Sequence, residues 1–230
     1  MRGVTDSPPP IERHLRVHRT ARFYQLGTAS SRIKELWIAC HGYGQLAEPF
    51  ARALSALDDG TRVVVAPEAL SRFYRDEVAR PHTHSPIGAS WMTREDRGHE
   101  ITDYVEYLDS VTSTVRREIG VQSIRVTVLG FSQGVATACR WTALGHTEIA
   151  RLILWAGPFP EDLPTDRGNA LFRGASLTVV AGTRDSVITP KVVDRNRDAM
   201  EALGLHADFM SFDGGHSLDS ATLRRIAQLQ

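Results

Sequence analysis

The chain has 230 residues, a length that suits one compact domain with a full hydrophobic core. Its 27 basic and 27 acidic side chains cancel, which argues against a nucleic-acid binder, because such proteins need a basic excess to neutralise phosphates. The sequence has no run of about 18 apolar residues, so we expect no membrane insertion. Residues 1–11 are polar, contain three prolines and lack the apolar centre of a signal peptide, so we expect a flexible N-terminus and a cytoplasmic protein.

Short apolar segments rich in β-branched residues alternate with helical patterns along the chain. The first regular stretch, residues 14–26, alternates only loosely and is interpreted as an antiparallel hairpin at a sheet edge. Continuous apolar segments, typical of strands buried on both faces, follow at residues 36–40, 63–66, 126–129, 152–155, 177–181 and 207–212.

The clearest helix pattern covers residues 98–119, where apolar side chains recur every three or four positions and Gly120 follows. The two cysteines, Cys40 and Cys139, lie inside apolar segments and are predicted to be free core thiols. The alternation of strand and helix predicts a single α/β domain over residues 1–230, with a mostly parallel, doubly wound sheet and helices on both faces. We expect no large cap domain.

A nucleophile motif follows the strand at residues 126–129. Gly130-Phe131-Ser132-Gln133-Gly134 has the spacing of a strand-turn-helix elbow, in which a strained serine projects its hydroxyl out of the turn. The flanking glycines allow backbone segments to approach without a Cβ collision. Ser132 is therefore the predicted nucleophile, and an ordinary glycine-rich turn is the alternative.

A second glycine motif, His41-Gly42-Tyr43-Gly44, follows the strand that ends at Cys40. Acyl transfer needs two backbone N–H donors beside the developing oxyanion. We expect the N–H of Gln133, the residue after the nucleophile, to be one of them and that of Tyr43 to be the other. His41 is interpreted as structural, because the catalytic base should lie nearer the C-terminus.

The predicted acid and base follow the last two strands. Asp185 closes the segment Gly182-Thr183-Arg184-Asp185, and His216 follows Asp213-Gly214-Gly215, so the chain order is serine, acid, base. His216 would accept the serine proton, and Asp185 would hold the imidazole tautomer. Asp213 is the competing acid.

The remaining histidines give no clear metal motif. His82 and His84 form an H-x-H pair, but no third ligand stands at regular spacing, so we predict no metal site. His99, His146 and His206 are interpreted as solvated.

These motifs resemble the phospholipase/carboxylesterase family of α/β-hydrolases, which includes small bacterial carboxylesterases and acyl-protein thioesterases. The resemblance covers the chain from about Leu36 to the C-terminus and also includes Val187 and Pro190. It implies a single-domain α/β-hydrolase fold, a triad of Ser132, Asp185 and His216, oxyanion donors at Tyr43 and Gln133, and no cofactor. Residues 71–97 depart from the thioesterase pattern, which leaves the substrate open.

Substrate recognition is expected in residues 68–97, a stretch without regular periodicity. Its apolar side chains are the predicted pocket lining: Phe73, Tyr74, Trp91 and Met92. Four arginines of the stretch could pair with an acidic substrate group, although the simpler interpretation is that they are solvated or pair with nearby acids. These arginines are Arg72, Arg75, Arg94 and Arg97, and the acids are Asp76, Glu77, Glu95 and Asp96.

The sequence therefore predicts a serine hydrolase that cleaves small-molecule carboxylic esters of short to medium acyl chain through an acyl-enzyme, as a monomer or homodimer. An acyl-protein thioesterase or a lysophospholipase would use the same chemistry. A non-catalytic ligand-binding hydrolase fold is disfavoured because all three triad residues are present. A peptidase is disfavoured because the sequence carries no propeller or cap domain.

Overall fold

The computed structural model describes residues 10–76, 82–121, 123–172 and 174–229, apart from the side chains of residues 82 and 167–169. The expectation of flexibility for residues 1–11 falls mainly outside this set, as does the expected role of Glu77. The strands of the described residues are Phe23–Leu26 (β1), Glu35–Cys40 (β2), Arg62–Pro67 (β3), Ser71–Tyr74 (β4), Ile87–Ser90 (β5), Arg125–Phe131 (β6), Arg151–Trp155 (β7), Ser176–Gly182 (β8) and Ala207–Phe212 (β9).

The helices of the same residues surround these strands. They are Ala47–Ala53 (α1), Arg97–Ile119 (α2), Gln133–Leu144 (α3), Pro190–Ala202 (α4) and Ser220–Gln228 (α5), with short 3-10 helices at Ser55–Leu57, His82–His84 and Thr165–Ala170. In this part of the chain, no helix has both the length and the hydropathy that crossing a bilayer requires.

The main sheet has seven strands in the order β1-β3-β2-β6-β7-β8-β9. Every neighbouring pair is parallel except β1 with β3, which is antiparallel. The predicted mostly parallel, doubly wound fold class is therefore confirmed. The antiparallel edge at the N-terminus is a single strand, β1, which pairs with β3, and the antiparallel hairpin of the fold is formed by β4 and β5.

Both faces of the sheet are covered, which explains why its strands read as continuous apolar segments. On β2, Leu36, Ile38 and Cys40 face one hydrophobic cluster, which also takes in side chains of α2, α3 and α4. Trp37 and Ala39 face the opposite cluster, beneath α1 and α5. Cys40 and Cys139 are both buried free thiols. Burial of each large apolar side chain contributes roughly 1.5–3 kcal/mol, so the two clusters hold the helices on the sheet.

The strand order reverses beside β2, since β3 lies on one side of it and β6 on the other. In open parallel sheets, loops at the carboxyl ends of the strands diverge at such a point and leave a crevice. The register pairs Cys40 at the end of β2 with Gly130 near the end of β6. The oxyanion motif and the serine motif therefore leave the sheet side by side.

Candidate active site

The serine turn has the backbone strain that its motif predicts. Ser132 lies between β6 and α3 with φ 54° and ψ −117°, a conformation that costs a non-glycine residue on the order of 1–3 kcal/mol. A Cβ at Gly130 would collide with the Gly134 carbonyl group, and a Cβ at Gly134 would collide with the Cys40 carbonyl group. Glycine at these two positions therefore allows the turn to form against β2.

Three predicted side chains form one hydrogen-bonded chain at the carboxyl edge of the sheet. The Ser132 hydroxyl lies 3.0 Å from Nε2 of His216, and Nδ1 of His216 lies 2.8 Å from Oδ2 of Asp185. With Nδ1–H donating to the carboxylate, Nε2 is free to accept the serine proton. The arrangement has the geometry of a nucleophile, a base and an orienting acid.

The surroundings of Asp185 keep it ionised. Its Oδ1 accepts the amide N–H groups of Val187 and Ile188 at 2.7 and 2.8 Å. Burial favours the protonated acid, but hydrogen bonds from Ile188, His216 and Val187 outweigh it and hold the pKa of Asp185 below its ordinary value. The competing acid, Asp213, makes no hydrogen bond to the imidazole within the described residues, and its exposed carboxylate pairs with Arg184 at 2.6 Å.

The oxyanion motif presents one amide without a protein acceptor. The Gly42 N–H donates to the Gln45 side chain at 2.8 Å, and the Gly44 N–H donates to the Ala89 carbonyl at 2.9 Å. Between them, the Tyr43 N–H makes no hydrogen bond within the described residues. Gln133 is the first residue of α3, where a helix leaves its N–H groups unpaired. The two predicted donors are thus unpaired amides, one in the loop after β2 and one at the first residue of α3, directly after Ser132.

His41 supports this loop from inside the protein and is fully buried. Its Nδ1 donates to the Gly42 carbonyl at 2.8 Å, and its Nε2 accepts the Ala69 N–H at 3.1 Å. Burial lowers the pKa of His41, which agrees with a neutral ring that donates on one side and accepts on the other. The interpretation of His41 as structural agrees with this geometry.

The Gln133 side chain has a role that the sequence did not indicate. Its Oε1 accepts the Trp91 N–H at 3.2 Å, and its Nε2 donates to Ser90 Oγ and the Met92 carbonyl at 3.1 and 3.0 Å. One side chain therefore joins the first turn of α3 to the end of β5. The serine motif placed Gln133 beside the nucleophile, but only the folded chain brings residues 90–92 to it.

The four predicted pocket residues are not among the described residues that line the cavity beside His216. Trp91 is a core residue, 2% exposed, and its Nε1 donates to the His41 carbonyl at 2.8 Å. Met92 packs against the same core and accepts a hydrogen bond from Arg140. Phe73 stacks on the exposed Tyr43 ring, and Tyr74 is 49% exposed. In this stretch, Trp91 therefore anchors the chain to the core, and Phe73 covers the oxyanion loop.

A cavity of about 480 Å³, open to solvent, lies beside His216. Side chains of α1 and of the loops around the triad form its apolar wall: Leu46, Pro49, Phe50, Ala53, Ile87, Phe131 and Leu218. Residues 68–97 contribute Ile87 and Arg75 to this lining. The apolar pattern of residues 46–57 was the one sequence signal for this wall. It indicates that a helix has an apolar face, but it does not indicate that this face lines a cavity.

Ligand-type side chains gather at one further place in the described residues. His14, Asp96 and His99 have nitrogen and oxygen atoms within 4.8 Å of one another, and we call them the exposed histidine cluster. Asp96 Oδ1 lies 2.7 Å from His99 Nδ1, and Asp96 Oδ2 lies 3.2 Å from His14 Nε2, so the carboxylate already partners both rings. Of the predicted H-x-H pair, His84 is exposed and the His82 side chain lies outside the described residues.

Residues 31–223 match the sequence profile of the family described as serine hydrolase (FSH1). A search of curated protein sequences finds no significant match.

Solved structures of esterases and thioesterases share the fold at low identity. Acyl-protein thioesterase 2 of Zea mays has a TM-score of 0.67 at 17% identity, over 91% of this chain and 97% of that chain. An esterase named PE8 has a TM-score of 0.64 at 19% identity, over 91% and 97%. A carboxylesterase of Bacillus cereus has a TM-score of 0.63 at 13% identity, over 90% and 92%. The α/β-hydrolase resemblance predicted from the motifs is confirmed, and the chain belongs to the serine hydrolase (FSH1) family.

Proposed function

We propose that this serine hydrolase cleaves carboxylic esters through a covalent acyl-enzyme on Ser132. The observation that carries the proposal is the continuous hydrogen-bonded chain from Ser132 Oγ through His216 to Asp185, with 3.0 and 2.8 Å between the heavy atoms. A serine is a weak nucleophile unless an adjacent base removes its proton, and here the base lies within hydrogen-bond reach.

In the first step, Ser132 Oγ attacks the ester carbonyl while His216 Nε2 takes the hydroxyl proton. The imidazolium that forms is stabilised by the Asp185 carboxylate, which also keeps the ring in the correct tautomer. The carbonyl oxygen becomes negatively charged and accepts hydrogen bonds from the backbone N–H groups of Tyr43 and Gln133. His216 then returns the proton to the leaving alcohol, and the acyl group stays on Ser132.

In the second step, water attacks the acyl-enzyme with His216 again as the base, which releases the acid and restores Ser132. No cofactor takes part in this scheme. The apolar cavity of about 480 Å³ beside His216 suits short to medium acyl or alcohol groups of small-molecule esters. A thioesterase or lysophospholipase activity would use the same steps, and the fold likeness to a plant acyl-protein thioesterase keeps thioesters among the substrates to test.

A fluorophosphonate probe and a panel of p-nitrophenyl esters and thioesters of graded chain length test the proposal. We expect the probe to label Ser132 and Ser132→Ala to abolish labelling and to lower kcat by at least about 10³-fold. Thr183→Ala is a matched control, since it removes a hydroxyl group at the same edge of the sheet but outside the triad. Labelling or hydrolysis that survives Ser132→Ala would place the chemistry at another residue.

A further inference from the structure

The charge distribution of the cavity beside His216 is one-sided. Apart from His216 itself, Arg75 is the only ionisable side chain among the described lining residues, and no carboxylate is among them. The rest of the lining is apolar except for Gln45 and Ser217. A cationic side chain on an apolar wall with no acid opposite it creates a positive potential within the cavity.

Arg75 differs in this respect from neighbouring arginines of the same stretch. Arg72 pairs with Glu68 at 3.2 Å, and Arg97 forms a salt bridge with Asp162. Arg75 has no ion pair within the described residues. Arg72 and Arg97 therefore pair with acids other than the four that the sequence suggested, whereas Arg75 is exposed, as the solvated alternative expects.

The backbone fixes the place of Arg75 relative to the triad. Arg75 follows directly after β4, and its N–H donates to the Pro86 carbonyl at 2.8 Å, which continues the β4–β5 hairpin. Its Nε would lie 3.8 Å from a Cβ built on Gly44, so the guanidinium is beside the oxyanion motif. An ester bound at Ser132 that extends into this cavity approaches Arg75 with its distal end.

We propose that Arg75 binds a carboxylate on the ester substrate, so that the preferred substrates carry one negative charge in the part that fills the cavity. This assignment rests on the proposed esterase function and names its substrate class. A guanidinium matches a carboxylate with two parallel N–H···O bonds, and the apolar wall accommodates the methylene chain between the two groups. The lining offers no second cation, so a monoanion fits it better than a phosphate dianion.

The test uses two pairs of esters that differ only in a carboxylate or its neutral carboxamide. The p-nitrophenyl esters of glutarate and glutaramate carry the group on the acyl side, and the acetyl esters of 4-hydroxybutanoate and 4-hydroxybutanamide carry it on the alcohol side. The measured quantity is the ratio of kcat/KM for the charged ester to that for the neutral ester. In at least one pair, we expect a ratio of about ten or more for the wild type, falling with ionic strength.

Arg75→Gln should bring that ratio to about one, and Arg75→Lys should retain part of it because the charge remains. Arg52→Gln is the matched control: it removes the same charge from α1 next to the cavity wall, where Arg52 pairs with Glu48 and does not line the cavity, and it should keep the wild-type ratio. A wild-type ratio of one or below in both pairs, or a ratio that Arg75→Gln preserves, would overturn the inference.

The neutral esters separate this inference from the esterase proposal. Ser132-dependent hydrolysis of the carboxamide esters without any Arg75-dependent selectivity contradicts only the substrate class. Absence of Ser132-dependent hydrolysis with all four esters contradicts the esterase function and the substrate class together.

Discussion

Substitution of Asp185 by asparagine is the sharpest test of how the proposed triad is organised. The asparagine side chain would still have to accept the two backbone N–H groups that now bind Oδ1, from Val187 and Ile188. The amide oxygen therefore stays on that side, and the NH₂ group faces His216 in place of Oδ2. Nδ1 of the imidazole can then only accept, which moves its proton to Nε2 and leaves no lone pair for the Ser132 hydroxyl.

The expected loss follows from that inversion of the tautomer. A flipped amide would set its NH₂ group against two N–H donors, so the protein has no easy way to restore the correct tautomer. We expect kcat for a p-nitrophenyl ester to fall on the order of 10⁴-fold, equivalent to about 5.5 kcal/mol in the activation barrier. Fluorophosphonate labelling of Ser132 should slow in parallel.

Asp213→Asn is the matched control, because it makes the same chemical change on a side chain that is 79% exposed and pairs with Arg184. We expect it to change kcat by less than about threefold, as usual for surface positions outside a site. A small loss in Asp185→Asn, or an equal loss in both variants, would refute the assignment of Asp185 as the orienting acid.

Further predictions concern stability and metal dependence. Burial lowers the pKa of His41, so the unfolded chain binds a proton at pH values where the folded protein remains neutral. Stability should therefore fall as the pH drops below about 6.5, by at most about 1.4 kcal/mol per pH unit from this residue. His41→Gln should remove that part of the slope in urea titrations at several pH values, and an unchanged slope would contradict the argument. Trp91→Ala should lower the unfolding free energy by about 3–5 kcal/mol. Trp91→Phe, which keeps an aromatic ring but removes the donor to the His41 carbonyl and part of the ring volume, should lower it by less, about 1–3 kcal/mol. Thermal or urea melts measure both, and unchanged stability would show that Trp91 does not anchor its loop. We expect EDTA to leave the esterase rate unchanged, because the exposed histidine cluster lines a different cavity from the triad. Inhibition by EDTA that zinc reverses would contradict this.

Local sequence patterns were informative where burial or steric crowding within one short segment limits which residue types it can contain. The strands are buried on both faces, so residues 36–40 and 126–129 could be recognised as apolar segments, and the observed strands extend them by at most two residues at either end. The serine turn could be recognised because its strain and close backbone approaches admit only glycine at Gly130 and Gly134.

The pocket could not be predicted in the same way, because burial of an aromatic residue depends on which elements pack above it. Trp91 lies in a stretch without periodicity. Only the packing of the end of β5 beside α3 encloses its ring and lets its indole N–H donate a hydrogen bond to the His41 carbonyl. Exposure of Tyr43 follows equally from its position at the edge of the crevice rather than from its residue type.

The sequence by itself determined the fold class, the parallel strands of the main sheet, the helix that ends before Gly120 and the candidate residues of the proposed triad, since each is encoded by contiguous residues and by their order along the chain. The tertiary structure alone decided between Asp185 and Asp213 as the acid that meets His216, which side chains line the cavity, and that Arg75 lies in that lining without an ion pair among the described residues. These outcomes depend on the strand order of the sheet, which brings residues 44, 75, 131 and 216 to one crevice. Contacts between segments so distant in the chain leave no periodic signal in any one of them, and only packing brings them together.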